Sequence, residues 1–159
     1  MPIYHKLGNF PQKRHTIFEK KEGGYYYEQL FGTEGFSGFS SLSYHIHRPT
    51  QIKEILKSVD VTPKIAIGKN IKPLLLHGFN VPPTDDFLQS RKPMLLNQDC
   101  IIGLAAPKKS MKDYFYKNAD ADEVIFVHEG SGTFKSVYGQ LDFAYGDYLV
   151  IPRGTIYQM

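Results

Sequence analysis

Two histidines at a spacing of two, His45 and His47, are the first residues whose types and positions could bind a metal. In an extended strand such residues project from the same face, and imidazole is a common ligand of zinc and iron. Pro49 follows directly, however, and the next carboxylate, Glu54, falls in a segment with helical spacing. Two histidines alone leave a metal under-coordinated, so we expect packing or surface histidines here, with a ligand role as the alternative.

A second candidate is Glu123, which stands near the start of a short apolar, β-branched run from Asp122 to His128. Asp120 and Asp122 lie beside it, but the alternation of a strand turns both away from Glu123. We therefore expect solvated turn acids at these two positions. A rebuilt carboxylate site is the alternative.

The elements that must position Glu123 form a predicted β meander between Tyr114 and Tyr157. Glycine turns and a proline separate its strands, and the second and third strands are joined as a tight hairpin. The predicted strands are Asp122–His128, Thr133–Tyr138, Leu141–Tyr145 and Tyr148–Ile151. Closely spaced strands of this kind favour a sandwich or barrel.

The spacing of the glutamate, glycines and proline in the meander is more informative about the protein family than the presence of strands. Glu123 is followed by Gly130, and Gly146 is followed by Pro152 and Gly154, which resembles the two motifs of the cupin superfamily. In the metal-binding form of that pattern a His-x-His pair precedes the glutamate and a third histidine follows the last glycine. The equivalent positions hold Tyr116 or Lys117, then Asn118 or Ala119, and finally Tyr157.

Of the four ligands in that pattern, Glu123 alone is present. One carboxylate among tyrosine, lysine and amide positions does not satisfy the coordination that iron, zinc or manganese needs. The resemblance therefore implies a mainly all-β, cupin or jelly-roll-like sandwich or barrel without its metal. We expect no catalytic residue and no metal ligand in this chain.

Length and composition suit one domain. The 159 residues include 11 Tyr, 11 Phe, 14 Gly, 10 Pro and no Trp, which favours strands and turns over long helices. We expect a single cupin-like domain over residues 1–159, with an extended arm (1–20), leading strands and one short helix (21–110) and the cupin-motif meander (111–159).

Charge and cysteine content restrict the partners and the compartment. The net charge of +3 comes from scattered residues, which is too diffuse for a nucleic-acid surface. A single cysteine, Cys100, suits a reducing compartment. The sequence has no apolar run long enough to predict a signal peptide or a membrane span. We expect a cytoplasmic protein that binds neither nucleic acid nor membrane.

The leading region contains several local signals. A basic segment, Lys13–His15, could bind an anionic substrate from the arm, although solvated basic residues are the simpler interpretation. Residues 51–59 have apolar positions at i, i+3, i+4 and i+7 after a possible N-cap at Thr50, which predicts a short amphipathic helix. The Gly32–Ser41 segment is predicted to be a loop. Further strand candidates are Tyr25–Phe31, Leu42–His47, Ile65–Ile67, Pro73–His77, Met94–Asn97 and Cys100–Ala105.

Four segments of the leading region extend the resemblance to the whole chain. They read KLGN (6–9), PQKRHT (11–16), YEQLFGTEGFSG (27–38) and SLSYHIHRPT (41–50). Together with the Asp-Glu strand and its glycine turns, they resemble the N-terminal half of the homogentisate 1,2-dioxygenase family in its bacterial form.

Members of that family consist of two cupin-like halves, and the iron lies in the C-terminal half. The family reaction opens the ring of homogentisate with O2 to give maleylacetoacetate, in tyrosine and phenylalanine catabolism. The resemblance implies that this chain binds no cofactor itself, that Fe(II) belongs to a missing C-terminal half, and that the sheet is incomplete at its C-terminus. Its partners would be that half, the neighbouring subunits of a homo-oligomer and a small aromatic acid substrate.

A different class of function remains open, namely a free-standing, metal-free cupin that binds or isomerises a small molecule in the mouth of its barrel. Tyr116, Lys117 and Tyr157 occupy inward-pointing positions and are the candidate pocket residues for it. A reading frame that continues past Met159 with a His-x5-Glu pattern would distinguish the dioxygenase hypothesis from this one.

Overall fold

The computed structural model describes residues 17–35, 37–49, 51–68 and 72–159. Within these ranges the regular structure is almost entirely β, as the composition predicted, and consists of ten strands and one 3-10 turn, Gly78–Asn80. The strands are β1 Tyr27–Glu34, β2 Ser37–His45, β3 Lys92–Leu96, β4 Ile101–Leu104, β5 Tyr116–Lys117, β6 Glu123–Phe126, β7 Ser131–Ser136, β8 Gly139–Ala144, β9 Tyr148–Ile151 and β10 Ile156–Gln158. The all-β, cupin-like class predicted from the sequence is confirmed. No helix of the described residues is long and apolar enough to cross a membrane.

The chain divides into two compact units, Met1–Lys57 and Ser58–Met159. The described part of the first unit is built on the antiparallel hairpin of β1 and β2. The Gly32–Ser41 loop prediction is wrong, because β1 continues to Glu34 and β2 begins at Ser37. The turn at Gly35, with a φ of 64°, is enough to reverse the chain.

The described residues of the second unit form three sheets. The largest has the strand order β5-β10-β7-β8, and the pairs β3-β4 and β6-β9 form two-stranded sheets. All these pairs are antiparallel. The predicted hairpin of β7 and β8 is confirmed, with Val137 and Tyr138 in the turn and Gly139, whose φ is 123°, as the first residue of β8.

The strands of the closing region do not follow one another as the continuous meander that we predicted. β6 pairs with β9, and β10 lies between β5 and β7. Sequential pairing fails because apolar side chains of β7, β9 and β10 meet in one core. Phe134, Ile151 and Tyr157 form its buried centre. Crossovers of this kind are typical of sandwich and jelly-roll arrangements.

The helix predicted over residues 51–59 is wrong, because the described residues 51–68 have no regular secondary structure. A helix of nine residues is unstable unless its apolar face is buried. In the structure Ile52, Ile55 and Leu56 are exposed by 79, 82 and 84%. Thr50, the predicted N-cap, lies outside the described residues.

Two of the other strand predictions, Ile65–Ile67 and Pro73–His77, are also wrong, since neither segment has regular secondary structure. Their apolar residues satisfy the propensity of a strand, but propensity does not form a strand without a neighbouring one to pair with. The predictions over Met94–Asn97 and Cys100–Ala105 correspond to β3 and β4. The arm segment Lys13–His15 lies outside the described residues.

Candidate functional site

Three strands of the second unit bring the cupin-motif side chains together. Glu123 opens β6, where its main chain pairs with Ile151 of β9. Tyr116 of β5 and Tyr157 of β10 are direct cross-strand partners, so their side chains lie on one face. Their rings meet edge to face with centroids 5.5 Å apart.

A residue from outside this region, Arg91, completes the cluster. Its Nη1 donates a hydrogen bond to Glu123 Oε1 at 2.6 Å, and its Nη2 donates to the Tyr157 hydroxyl oxygen at 2.7 Å. The same hydroxyl donates to Glu123 Oε2 at 2.6 Å. The three side chains therefore close a ring of charge-assisted hydrogen bonds that uses both carboxylate oxygens.

Burial makes this ring energetically important. Tyr157 is 0% exposed, and the side chains of Arg91 and Glu123 are 28% and 12% exposed. Burial and the hydrogen bond to Glu123 raise the pKa of Tyr157, so its hydroxyl stays protonated as a donor. For Arg91, burial lowers the pKa, but the hydrogen bond and negative charge of Glu123 outweigh it and raise the pKa overall. The cluster thus holds one cation, one carboxylate and one neutral phenol.

Asn118 supports Glu123 from the chain that leads into β6. Its Nδ2 lies 3.4 Å from Glu123 Oε1, and its Oδ1 accepts the backbone N–H groups of Asp120 and Ala121. The backbone N–H of Gly154 donates to the carbonyl of Asn118 at 2.6 Å. These bonds tie the loop after β5 to the turn after β9.

The geometry also distinguishes the two possible alignments of the cupin pattern. Tyr116 and Asn118 are partly buried beside Glu123, whereas the intervening Lys117 is exposed. The Tyr116 ring lies 5.2 Å from Arg91 Cζ. Two of the three pocket candidates, Tyr116 and Tyr157, are thus brought together and Lys117 is not. A pocket role for these three residues stays a prediction.

The glycines and proline of the two motifs lie at turns. Gly130, Gly146 and Gly154 have φ values of 88°, 93° and 82°, a region that residues with a Cβ rarely adopt. Pro152 follows the last residue of β9 and ends that strand. The turn at Gly154 lies at the Glu123 end of β6, where its backbone N–H bonds to Asn118, whereas Gly130 and Gly146 lie beyond the opposite end of that strand.

Asp122 has a structural role in one of these turns. Its Oδ1 accepts the backbone N–H of Arg153 at 2.8 Å, and both Asp120 and Asp122 are exposed. The placement agrees with the expectation of solvated turn acids. Neither carboxylate forms a hydrogen bond or ion pair with the cluster around Glu123 among the described contacts.

The donor set at Glu123 does not fit an iron ion. Both carboxylate oxygens are already bonded to Arg91 and Tyr157, and the surrounding groups are a neutral phenol, an amide and a guanidinium. Iron in oxygenases requires imidazole and carboxylate ligands with open positions. Across the described ranges, no group of three or more His, Cys, Asp or Glu residues is arranged to hold a metal.

Arg91 was missed by the sequence reasoning, and so was the turn that delivers it. Asp86, which is 5% exposed, accepts the Tyr114 hydroxyl at 2.6 Å and the backbone N–H of Gln89 at 3.0 Å. Burial and the hydrogen bond to Asp86 raise the pKa of Tyr114 to about 12. The available signal was indirect: Glu123 is a cupin-motif carboxylate without metal-binding neighbours, and such a carboxylate requires some other cation once it is buried.

The two spaced histidines, His45 and His47, lie in the first unit. The His45 ring nitrogen Nε2 lies 2.9 Å from Gln29 Oε1 across the β1–β2 hairpin, and His47 is exposed beyond the end of β2. Nearby, Phe18, Tyr26 and Tyr44 line an aromatic cavity of about 260 Å³. His45 therefore has a cross-strand partner within its own hairpin, as a packing histidine would.

One comparison with known proteins relates the chain to a protein named as a dioxygenase. A protein of Saccharolobus solfataricus named "putative dioxygenase" is 36% identical to it over 159 residues, which is 100% of this chain. The chain spans 41% of the length of that relative. No protein-family model matches the chain, and no solved structure gives a significant match. The chain is thus similar along its entire length to a segment of a longer, dioxygenase-named protein.

Proposed function

We propose that this chain is a metal-free, non-catalytic cupin-like part of a dioxygenase of the homogentisate 1,2-dioxygenase kind. The observation that carries the proposal is the 36% identity along the whole chain to a protein named as a dioxygenase, of which the chain spans 41%. The motif resemblance to homogentisate 1,2-dioxygenases supplies the substrate class, a dihydroxylated aromatic acid. The cytoplasm is the compartment that this role implies.

The state of Glu123 supports a non-catalytic role for this part. A ring-cleaving iron must hold a phenolate and O2 together at open coordination positions. In this chain the single surviving ligand-type residue is held on both oxygens by Arg91 and Tyr157. Iron binding and ring cleavage therefore belong to another part of the larger protein, the C-terminal half that the resemblance implies.

On this proposal the chain contributes a rigid scaffold. Its closed cluster joins β5, β6 and β10 to the turn that carries Arg91. Packing partners would be the iron-bearing half and the neighbouring subunits of a homo-oligomer. Exposed apolar residues on β6 and β9, such as Val124 (66%) and Val150 (69%), offer surface for such packing.

The test compares three proteins: this chain, the S. solfataricus relative, and a chimera in which this chain replaces the matching segment of that relative. Each is reconstituted with Fe(II), and its iron content and homogentisate-dependent O2 uptake are measured. We expect the relative and the chimera to retain iron and consume O2, and this chain alone to do neither. The chimera with Glu123→Gln should keep its iron per folded molecule, because Glu123 is not a ligand.

Several results would contradict the proposal. Stoichiometric iron on this chain alone, or loss of iron from the folded Glu123→Gln chimera, would make the non-catalytic role wrong. O2 uptake by the relative with another aromatic diol, but not with homogentisate, would overturn the substrate. If the relative consumed no O2 with homogentisate or any other aromatic diol, the small-molecule cupin hypothesis would replace this proposal. Its test is the shift in melting temperature that small ligands cause in variants of Tyr116, Lys117 and Tyr157.

A further inference from the structure

We propose that Arg91 is the resident cation of this cupin-like sheet: its guanidinium occupies the place that a metal ion takes in metal-binding cupins. Removal of its side chain should leave a site selective for a planar guanidinium ion. The inference rests on the cupin-like arrangement within the proposed function, but on no substrate and no reaction.

The negative charge of Glu123 requires a cation beside it. Its side chain is 12% exposed, and a carboxylate removed from water to that extent requires a compensating cation. Metal-binding cupins supply a metal ion. Here Arg91 Nη1 lies 2.6 Å from Oε1, and Arg91 forms the one ion pair that Glu123 makes in the described structure.

The position of the Arg91 guanidinium also supports the inference. Residues at each of the four cupin ligand positions, 116, 118, 123 and 157, contact either the guanidinium or the carboxylate that it binds. Glu123 and Tyr157 bond to Arg91 directly, Tyr116 presents its ring to Arg91 Cζ at 5.2 Å, and Asn118 bonds to Glu123. The guanidinium therefore contacts three of those four positions, and the fourth contacts the carboxylate that it binds.

The shape of the site around the guanidinium favours a planar cation. A guanidinium is a flat fork, and two of its nitrogens donate here to two different acceptors, Glu123 and Tyr157. The Phe87 ring lies 4.4 Å from Arg91 Cζ, and the Tyr116 ring also faces it. Stacking against aromatic rings favours a planar, weakly hydrated cation over a compact ammonium.

The turn before Arg91 positions its side chain without help from Glu123. The turn before Arg91 is fixed by the backbone N–H of Ser90, which donates to the carbonyl of Asp86 at 2.9 Å, and both residues are buried. The Ser90 hydroxyl donates to the carbonyl of Phe87 at 3.3 Å. A turn held by its own buried polar groups places Arg91 independently of Glu123, so a vacated site should survive the loss of the side chain.

The experiment uses the Arg91→Ala variant of this chain in thermal unfolding. We expect a melting temperature several degrees below that of the wild type, restored by at least half with low-millimolar methylguanidinium. Equal concentrations of methylammonium should restore much less, because it has no fork. The wild type should respond to neither ion, and a chelator should leave its melting temperature unchanged. Ligand binding to the folded state alone produces such shifts.

Three results would overturn the inference: equal stability of Arg91→Ala and wild type, equal rescue by the two cations, or destabilisation of the wild type by the chelator. If Arg91→Ala does not fold, a double-mutant cycle of Arg91→Met and Glu123→Gln decides instead. Loss of both charges should then cost less than the sum of the single losses, and strict additivity would refute the pairing. These measurements need no aromatic substrate, so they succeed or fail independently of the dioxygenase test.

Discussion

Arg91 and Glu123 lie 32 residues apart in the sequence, and their side chains meet at 2.6 Å in the interior of the second unit. The pair joins the turn after Asp86 to the first residue of β6. Tyr157, at the other end of the closing region, bonds to both partners. Three distant parts of the chain therefore depend on one cluster, and changes there should affect the whole unit.

The hydroxyl of Tyr157 can be removed without changing the packing of its ring. Tyr157→Phe leaves one carboxylate oxygen of Glu123 and one N–H of Arg91 without this partner, in a site that is 0% exposed at Tyr157. We expect a loss of about 1–3 kcal/mol in the free energy of unfolding, measured in urea. Tyr148→Phe is the matched control, because Tyr148 is 67% exposed and should change little. Equal effects of the two substitutions would contradict the importance of the cluster.

Alkaline pH should destabilise the second unit. Burial raises the pKa of Tyr114 to about 12 and also raises that of Tyr157, whereas an unfolded tyrosine titrates near about 10. Above that pH the unfolded chain releases protons that the folded chain retains, so unfolding becomes more favourable. The stability contributed by Tyr114 is fully present below about pH 10 and is lost as the pH rises towards about 12.

The measurement for this pH dependence is the urea midpoint at a series of alkaline pH values, with tyrosinate absorbance recorded in parallel. Tyr114→Phe should reduce the slope of midpoint against pH, because it removes one of the tyrosines whose pKa is raised in the folded state. Wild type and variant differ by one hydroxyl group, so the contributions of the other side chains cancel in the comparison. An unchanged slope in Tyr114→Phe would show that Tyr114 does not titrate differently in the folded state.

Asp86 fixes the turn that positions Arg91, so its replacement should also weaken the Arg91–Glu123–Tyr157 cluster. Asp86→Asn weakens the acceptors for the Tyr114 hydroxyl and the backbone N–H of Gln89. We expect a loss of about 1–3 kcal/mol in unfolding free energy. Asp85→Asn is the neighbouring control: its ion pair with Lys109 is exposed, and solvent screening leaves such pairs with little effect on stability. A larger loss at Asp85 than at Asp86 would contradict this assignment.

The segment 51–68 should be the first part of the described chain to be cleaved by trypsin. It contains the exposed Lys53, Lys57 and Lys64 and has no regular secondary structure. Cleavage requires an extended, accessible backbone. Lys135 is the internal control, because its side chain is exposed while its backbone lies in β7, paired on both sides. Protection of Lys53 and Lys57 would indicate that residues 51–59 form the amphipathic helix after all.

Local patterns in the sequence predicted the strands β6 to β9 of the closing region well. The alternation in β8, the β-branched run of β6 and the stop at Pro152 after β9 were read correctly. Strand propensity, turn glycines and a proline act on neighbouring residues, so their effect is visible in the sequence. Identity to a dioxygenase-named protein likewise agrees with the motif resemblance at the level of a dioxygenase.

The errors came from elements whose stability depends on distant partners. The periodicity of residues 51–59 predicts a helix only if another surface covers its apolar face, and Leu56 remains 84% exposed. The loop predicted over Gly32–Ser41 became part of a hairpin because β1 and β2 pair across it. In each case the decisive interaction was absent from the local sequence.

The sequence by itself determined that the protein is mainly β, that its motifs follow a cupin pattern, and that Glu123 lacks histidine partners, because composition and spacing are properties of the chain alone. Only the tertiary structure decided what replaces those partners. Arg91 lies in a turn with no periodic signal, and its role exists because folding removes Glu123 from water and places a guanidinium beside it. A buried charge selects its counter-charge by distance in space, which spacing along the sequence does not record.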